Sequence, residues 1–102
     1  MTKEKFSKHF IQDRMERYVF IATKVGIGDV VYTTQQVDKQ NRNAIYELTK
    51  KGVLIIRDVT DRTIITMYCP TLCQVKGIFK QDVSVTMRNV IRGNEKKGFC
   101  NI

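Results

Sequence analysis

The first pattern along the chain is that of an amphipathic helix over residues 3–22. Its apolar side chains recur every three to four positions, as does the buried stripe of a surface helix. Thr2 is placed to cap this helix, and Glu4 lies where the helix dipole favours a negative charge. The apolar positions are Phe6, Phe10, Ile11, Met15, Tyr18, Val19 and Ala22.

Segments rich in β-branched residues follow, and they predict strands over residues 30–37, 44–49, 53–58 and 63–68. Polar or glycine-containing turn signals separate these strands. Pro70 ends the last of them, because proline has no N–H to donate to a ladder. These features predict a meander of antiparallel strands.

The last third of the chain carries two overlapping patterns. One apolar set has helical spacing and is followed by Arg92-Gly93, which is typical of a helix C-terminus. Val83, Val85 and Met87 also alternate as in a strand. We favour a helix over residues 79–92. The helical set is Phe79, Val83, Met87, Val90 and Ile91.

The predicted fold class is therefore α+β: an N-terminal helix packed on an antiparallel sheet of about four strands, with a C-terminal helix. A chain of 102 residues is long enough for one core and too short for two. We expect one domain over residues 1–93 and a flexible tail over 94–102. No apolar run approaches the roughly 18 residues of a membrane span, and no secretory signal is visible. The sequence thus predicts a cytoplasmic protein with no membrane partner.

The net charge of the chain indicates what kind of partner it binds. Lys and Arg outnumber Asp and Glu by 18 to 10, which gives a net charge of +8. On so small a domain this excess favours a polyanionic partner, usually nucleic acid. The charges are spread along the chain, so a basic patch has to be assembled by folding. A solvated basic surface with no such partner is the alternative.

Three cysteines, Cys69, Cys73 and Cys100, are an odd number in a chain without a visible signal peptide. Both facts favour free thiols in a reducing compartment. Together with His9 they would make a Cys3His zinc set. Because those ligands come from three distant segments, we favour ordinary thiols and predict no metal and no cofactor.

His9, the only histidine, is the natural general acid or base, because its unperturbed pKa lies near neutrality. Asp13 follows one helical turn later and can orient the imidazole ring. Arg14 and Arg17 can hold a phosphate or stabilise a phosphorane-like transition state. The alternative is an exposed helical histidine beside a solvated charge network.

Polar side chains on the predicted strands and at a hairpin tip complete the candidate site. They are Arg57, Thr66, Tyr68, Lys50 and Lys51. By alternation, Thr66 and Tyr68 share the face opposite to Ile65 and Met67. They point outward, towards a substrate and within reach of Arg57, if Ile65 and Met67 face the core. This placement fails if helices cover both faces of the sheet, or if Tyr68 is simply a half-buried sheet aromatic.

Two segments carry a resemblance to a known family. Residues 8–17, KHFIQDRMER, resemble the opening helix of a family of small uncharacterised bacterial and phage domains, in which a histidine precedes an RM-x-R-like segment. Residues 63–68, TIITMY, resemble the last strand of the hairpin that closes those domains. The family stands beside the RelE-type and BrnT-type toxins, among compact metal-independent ribonucleases with barnase-like and colicin-like folds. The resemblance covers residues 5–70.

The resemblance implies a phosphate-binding cleft with His9, Arg14 and Arg17 on the helix and Thr66 and Tyr68 on the last strand. It implies a toxin-like protein, with a cognate antitoxin as a partner. The turn after the helix is longer here and carries glycine, and residues 71–102 have no counterpart in the family pattern.

The enzyme interpretation is a metal-independent endoribonuclease. His9 would take the proton from a ribose 2′-OH, and Arg14, Arg17 or Arg57 would neutralise the developing charge. Tyr68 or a lysine would protonate the leaving oxygen. RNA cut in this way ends in a cyclic phosphate.

The second interpretation is a non-catalytic phage or mobile-element protein that binds nucleic acid or inhibits a host protein. Lys50, Lys51 and Thr66 would then contact nucleic acid, with RNA favoured, and His9 has no special role. Sensitivity to a single substitution separates the two interpretations, because distributed binding declines gradually whereas catalysis collapses.

Overall fold

The computed structural model describes residues 6, 11, 15–38 and 41–101. Helix α1 (Met15–Phe20) continues directly into one π-helical turn (Ile21–Val25). Gly26 closes that turn, since its N–H donates to the Ile21 carbonyl at 2.8 Å and its φ of +85° is accessible to glycine without strain. The predicted first helix therefore extends to residue 25, and its proposed cap lies outside the described residues.

The sheet has four antiparallel strands in sequence order, β1 (Val30–Val37), β2 (Asn43–Thr49), β3 (Leu54–Asp58) and β4 (Ile64–Tyr68). All four predicted strands are confirmed, with boundaries that differ by at most one residue. Two bulges interrupt the ladders: Val31 is an extra residue opposite β2, and Ile65 is an extra residue opposite β3. Phe6 adds a single parallel bridge to Ile64 on the far side of β4.

Two helices follow the sheet, α2 (Leu72–Phe79) and α3 (Val85–Lys96). Helix α2 begins at a capping box, in which the Thr71 side chain accepts from the Gln74 N–H while the Gln74 side chain accepts from the Thr71 N–H. It ends at Lys80, whose φ is +55°. Helix α3 begins at Ser84, whose hydroxyl accepts from the Met87 N–H at 3.1 Å.

The predicted helix over residues 79–92 is therefore correct for residues 85–92 and wrong for residues 80–84, and Phe79 belongs to the preceding helix α2. The physical reason is the left-handed residue at 80 and the new cap at Ser84, which divide the apolar pattern between two helices.

The sheet buries apolar side chains on both faces. We call the face that packs against α2 and α3 the front face, and the face that packs against α1 the back face. The front core comprises Ala44, Leu48, Leu54, Ile56, Val75, Phe79, Val83, Met87 and Ile91. The back core comprises Ile21, Val53, Ile55, Ile64, Met67 and Cys69.

This arrangement overturns the predicted outward placement of Tyr68. Met67 lies in the back core, whereas Tyr68 packs against the front core beneath the helices. The bulge at Ile65 breaks the alternation, and Ile65 packs against the front core as well. Strict alternation along β4 therefore does not identify a solvent face, because helices occupy both sides.

The chain after residue 93 also differs from the prediction of a flexible tail. Helix α3 continues to Lys96, and Asn94 is buried, with its side-chain amide donating to the Lys51 carbonyl at 3.0 Å. A 3-10 turn (Phe99–Asn101) follows, and the Phe99 ring packs edge-on against Phe20 with centroids 5.5 Å apart. The segment thus links α3 to the back layer.

Among the described residues, no helix is long and apolar enough to cross a membrane.

Candidate functional site

The predicted catalytic histidine, His9, and its neighbour Arg14 lie outside the described residues. The structure therefore places neither of them relative to the sheet. Arg17 is described and is half-buried on α1. Of the predicted catalytic set, the geometry can be followed for Arg17, Arg57 and Tyr68.

Tyr68 packs against the front core, and the positive charge of Arg17 on α1 acts on its phenol. Burial raises the pKa of the Tyr68 phenol, and the nearby Tyr46 raises it further, whereas the positive charge of Arg17 lowers it. The net direction is upward, so Tyr68 stays protonated at neutral pH and holds its proton more tightly than an exposed tyrosine does. A proton donor of this kind is weak at neutral pH, which does not favour Tyr68 as the acid for a leaving oxygen.

Arg57 lies on the other side of the sheet from Tyr68. Its Nε donates to Glu47 Oε1 at 2.7 Å, and both side chains are less than a fifth exposed. Its Nη1 donates to the Arg62 carbonyl at 3.2 Å. Glu47 pairs with Ile55 of the back core, so the ion pair belongs to the back face. The expectation that Arg57 reaches the same surface as Tyr68 is therefore wrong.

The predicted nucleic-acid contacts are also separated. Lys50 and Lys51 stand at the exposed β2–β3 hairpin tip, as expected, and the Lys50 ammonium is 3.7 Å from Asp29 Oδ2. Thr66 is half-buried on β4, opposite Ile56 of the front core. The hairpin tip offers one cluster of positive charge, and Thr66 is not part of it.

The three cysteines do not form a metal centre with one another. Cys69 is 1% exposed in the back core, Cys73 is exposed on α2, and the Cys100 thiol is 3.5 Å from the Pro70 carbonyl. Across the described part of the chain, which omits His9, no group of three His, Cys, Asp or Glu side chains is placed to hold a metal ion.

Burial raises the pKa of the Cys69 thiol to about 11, with the neighbouring Cys100 thiol as the second cause. The folded state thus keeps a proton that the unfolded chain releases above its ordinary pKa of 9.0. We expect this contribution to be fully present below pH 9 and to be lost as pH rises towards 11, by roughly 2–3 kcal/mol in the free energy of unfolding. Urea unfolding at a series of pH values measures it.

Two variants test the assignment of this pH dependence. Cys69→Ala should flatten the fall in stability between pH 9 and 11, whereas Cys73→Ala, which alters an exposed thiol, should leave the profile unchanged. Equal profiles for wild type and Cys69→Ala would contradict it. The comparison is needed because Tyr46 and Tyr68 also have raised pKa values.

Sequence reasoning missed a set of positive charges in the last third of the chain. Residues 71–102 carry six Lys and Arg against two Asp and Glu, and so hold half of the net charge of +8. Within the described ranges, none of the six forms an ion pair. We call this set the basic helical surface: Lys76, Lys80, Arg88, Arg92, Lys96 and Lys97.

Helix α3 carries three of the six residues of the basic helical surface. Arg88, Arg92 and Lys96 succeed one another at four-residue intervals, so they form one row on the side of α3 that is turned away from Met87 and Ile91. Arg92 and Lys96 line a groove of about 380 Å³ together with Leu72 and Glu95. Glu95 Oε2 is 3.4 Å from the Leu72 N–H, so this carboxylate faces the first turn of α2.

The missed signals were local ones. Thr71-x-x-Gln74 directly after Pro70 is the sequence signature of a capping box, and Ser84 is a preferred N-cap residue. Either signal divides residues 72–96 into two helices. The four-residue spacing from Arg88 to Lys96 then predicts a row of cations.

No protein-family model, no curated protein and no solved structure matches this chain. The resemblance to RelE-type and BrnT-type toxins therefore stays a prediction.

Proposed function

We propose that this protein binds RNA through the basic helical surface of α2 and α3. The observation that carries the proposal is the row Arg88, Arg92 and Lys96, exposed or half-exposed on one side of α3 and without an ion-pair partner among the described residues. Elsewhere in the described chain, Arg42, Lys50 and Arg57 are each within 4 Å of a carboxylate. The other exposed cations, Lys24, Lys51 and Arg62, lie on three separate turns and do not form a row. Unpaired cations in a row retain their full charge for a polyanion.

The chemistry of the row suits a phosphate backbone. A helical rise of about 1.5 Å per residue spreads the three charges over about 12 Å. Each arginine presents a planar fork that binds a phosphate with two parallel hydrogen bonds, and the lysine adds a mobile point charge. Contacts of this kind bind the backbone without reading base sequence.

Two of the predicted catalytic residues that the structure describes favour RNA binding over RNA cleavage. Arg57 is engaged by Glu47, and Tyr68 is packed under the helices with a raised pKa. RNA is favoured over DNA because the resemblance points to RNA-directed proteins. Cleavage stays a prediction that depends on His9 and Arg14, and a cognate antitoxin or a host-protein target also stays a prediction.

The test is a fluorescence anisotropy titration of a labelled single-stranded RNA over a series of salt concentrations. We expect Arg92→Gln with Lys96→Gln to weaken binding by about tenfold or more at low salt, and to reduce the slope of log K against log salt by about 1.4. The matched control is Lys24→Gln with Arg62→Gln, which removes the same two charge types from exposed positions elsewhere. It should change binding by less than about twofold.

Equal losses in the two double variants would contradict the assignment to α3, because total charge rather than a surface would then control binding. Absence of binding by the wild type at low salt would reject the proposal. A DNA of the same sequence tests the preference for RNA. Incubating the RNA with protein in EDTA tests cleavage, and products that disappear with His9→Ala would establish the enzyme interpretation.

A further inference from the structure

Strand β1 is an edge of the sheet whose outer side is unpaired in the part of the chain that the structure describes. It is eight residues long and contains no charged residue and no proline, in a chain with 27% charged residues. Charges, prolines and short length are the usual means by which edge strands avoid pairing with another chain. The only such device in β1 is the bulge at Val31, which lies at its beginning.

Two hydrogen bonds define which backbone groups point to the open side. The Asp38 N–H donates to the Arg42 carbonyl, and the Val59 N–H donates to the Asn43 carbonyl, which directs Asn43 towards β3. Because these directions alternate along antiparallel strands, the even-numbered residues of β1 bond to β2. Thr33, Gln35 and Val37 therefore point their N–H and C=O groups outward, and their side chains are exposed.

We propose that a second copy of this chain pairs with β1 in antiparallel orientation, with the two-fold axis at Gln35. The outward residues are spaced symmetrically about Gln35, so this register places Thr33 opposite the partner's Val37 and Gln35 opposite the partner's Gln35. Each opposed pair exchanges two hydrogen bonds, which gives about six in all. The two sheets become one sheet of eight strands.

The charged residues at the two ends of β1 are compatible with self-pairing, because they form ion pairs within the chain. Asp29, which precedes the strand, is 3.7 Å from the Lys50 ammonium, and Arg42, in the loop that follows it, is 3.0 Å from Asp38. Each of these charges is therefore balanced by an opposite charge of its own chain. A second copy can approach β1 without repulsion between these groups, although the chain as a whole carries a net charge of +8.

The proposed antiparallel pairing also fixes how the front faces of the two copies are oriented. A two-fold axis perpendicular to the sheet keeps the front faces of both copies on the same side. The two layers formed by α2 and α3 then lie side by side, and their basic helical surfaces face the same direction. The dimer itself does not rest on the proposed function, since it follows from the edge strand.

The test is sedimentation velocity of the full chain under reducing conditions, over a concentration range of about 1–200 µM. We expect a concentration-dependent dimer for the wild type. Gln35→Lys places two positive charges opposite each other at the two-fold axis and should raise the dissociation constant by at least about tenfold. Gln81→Lys makes the same chemical change at an exposed position between α2 and α3, and should leave the dimer unchanged.

Gln35→Pro is a second variant with a sharper effect. It removes the outward N–H at the centre of the register, at an edge position where proline does not interrupt the bonds to β2. It should be monomeric, with a native circular dichroism spectrum. A wild type that stays monomeric at 200 µM would overturn the proposal, as would dimers of Gln35→Lys that are as strong as those of the wild type.

Discussion

Gly52→Ala is expected to lower the free energy of unfolding by about 2–4 kcal/mol. Gly52 lies in the β2–β3 hairpin turn with a φ of +77°, a conformation that an alanine adopts only with strain. A Cβ atom there would be 2.6 Å from Asn94 Nδ2 and 3.1 Å from Val90 Cγ1. Both neighbours belong to α3, so the substitution acts on the contact between the hairpin and the helix.

The Asn94 side chain cannot easily move away from a Cβ atom at position 52. It is buried, and its amide donates to the Lys51 carbonyl at 3.0 Å. Displacing it breaks that bond and leaves buried polar groups without a partner, which adds to the strain in the turn. The strain in the turn and the loss of this hydrogen bond together amount to a large fraction of the free energy of unfolding of a domain of this size.

The matched control is Gly98→Ala. Gly98 has a similar φ of +78°, but no atom lies within 4 Å of the Cβ position. This variant should lose only the backbone contribution, about 1 kcal/mol. Urea unfolding of the three proteins measures the difference, and equal losses for the two variants would show that the contact with Asn94 contributes nothing.

Leu54→Ala and Ile55→Ala are each expected to lower the free energy of unfolding by about 2–5 kcal/mol. These neighbours on β3 point to opposite faces of the sheet. Leu54 is 0% exposed in the front core, beneath α2 and α3, and Ile55 is 3% exposed in the back core, beneath α1. Truncation of either side chain therefore leaves a cavity under a helix.

This pair of variants tests whether helices cover both faces in solution. A sheet with one solvent-facing side would tolerate one of the two truncations, and a small loss for Ile55→Ala alone would contradict the packing of α1. Val85→Ala is the control, because Val85 is 66% exposed at the start of α3 and its truncation should change stability by less than about 0.5 kcal/mol. Chemical denaturation of the wild type and the three variants, analysed with a common m-value, gives the loss in the free energy of unfolding for each variant.

The stability of the Leu54→Ala and Ile55→Ala variants also bears on the proposed function. If α1 leaves the back face readily, the surroundings of Arg17 and Tyr68 change, and the enzyme interpretation has to be considered with a different geometry. If it does not, the basic helical surface offers a polyanion the row of cations Arg88, Arg92 and Lys96. The RNA titration and the unfolding experiments therefore inform each other.

The strands and turns of this protein are encoded locally. β-branched segments separated by Lys50-Lys51-Gly52 and by Thr60-Asp61-Arg62 predict the meander almost residue by residue, since each hairpin is closed by its own turn. The N-terminal helix also follows from the spacing of its apolar residues, but the predicted buried stripe is only partly correct, since Ile11, Val19 and Ala22 are exposed. The boundary between α2 and α3 is also local, but it is marked by Thr71 and Ser84 rather than by hydrophobic spacing.

The candidate site depends on contacts between distant segments. The sequence alone determined a basic α+β chain with four strands in a meander, because turn chemistry and hydrophobic period act over a few residues. Only the tertiary structure decided that helices cover both faces and that Arg57 and Tyr68 lie on opposite sides of the sheet. Alternation tells which residues of a strand share a face. Which face meets solvent is set by packing against elements far away in the chain.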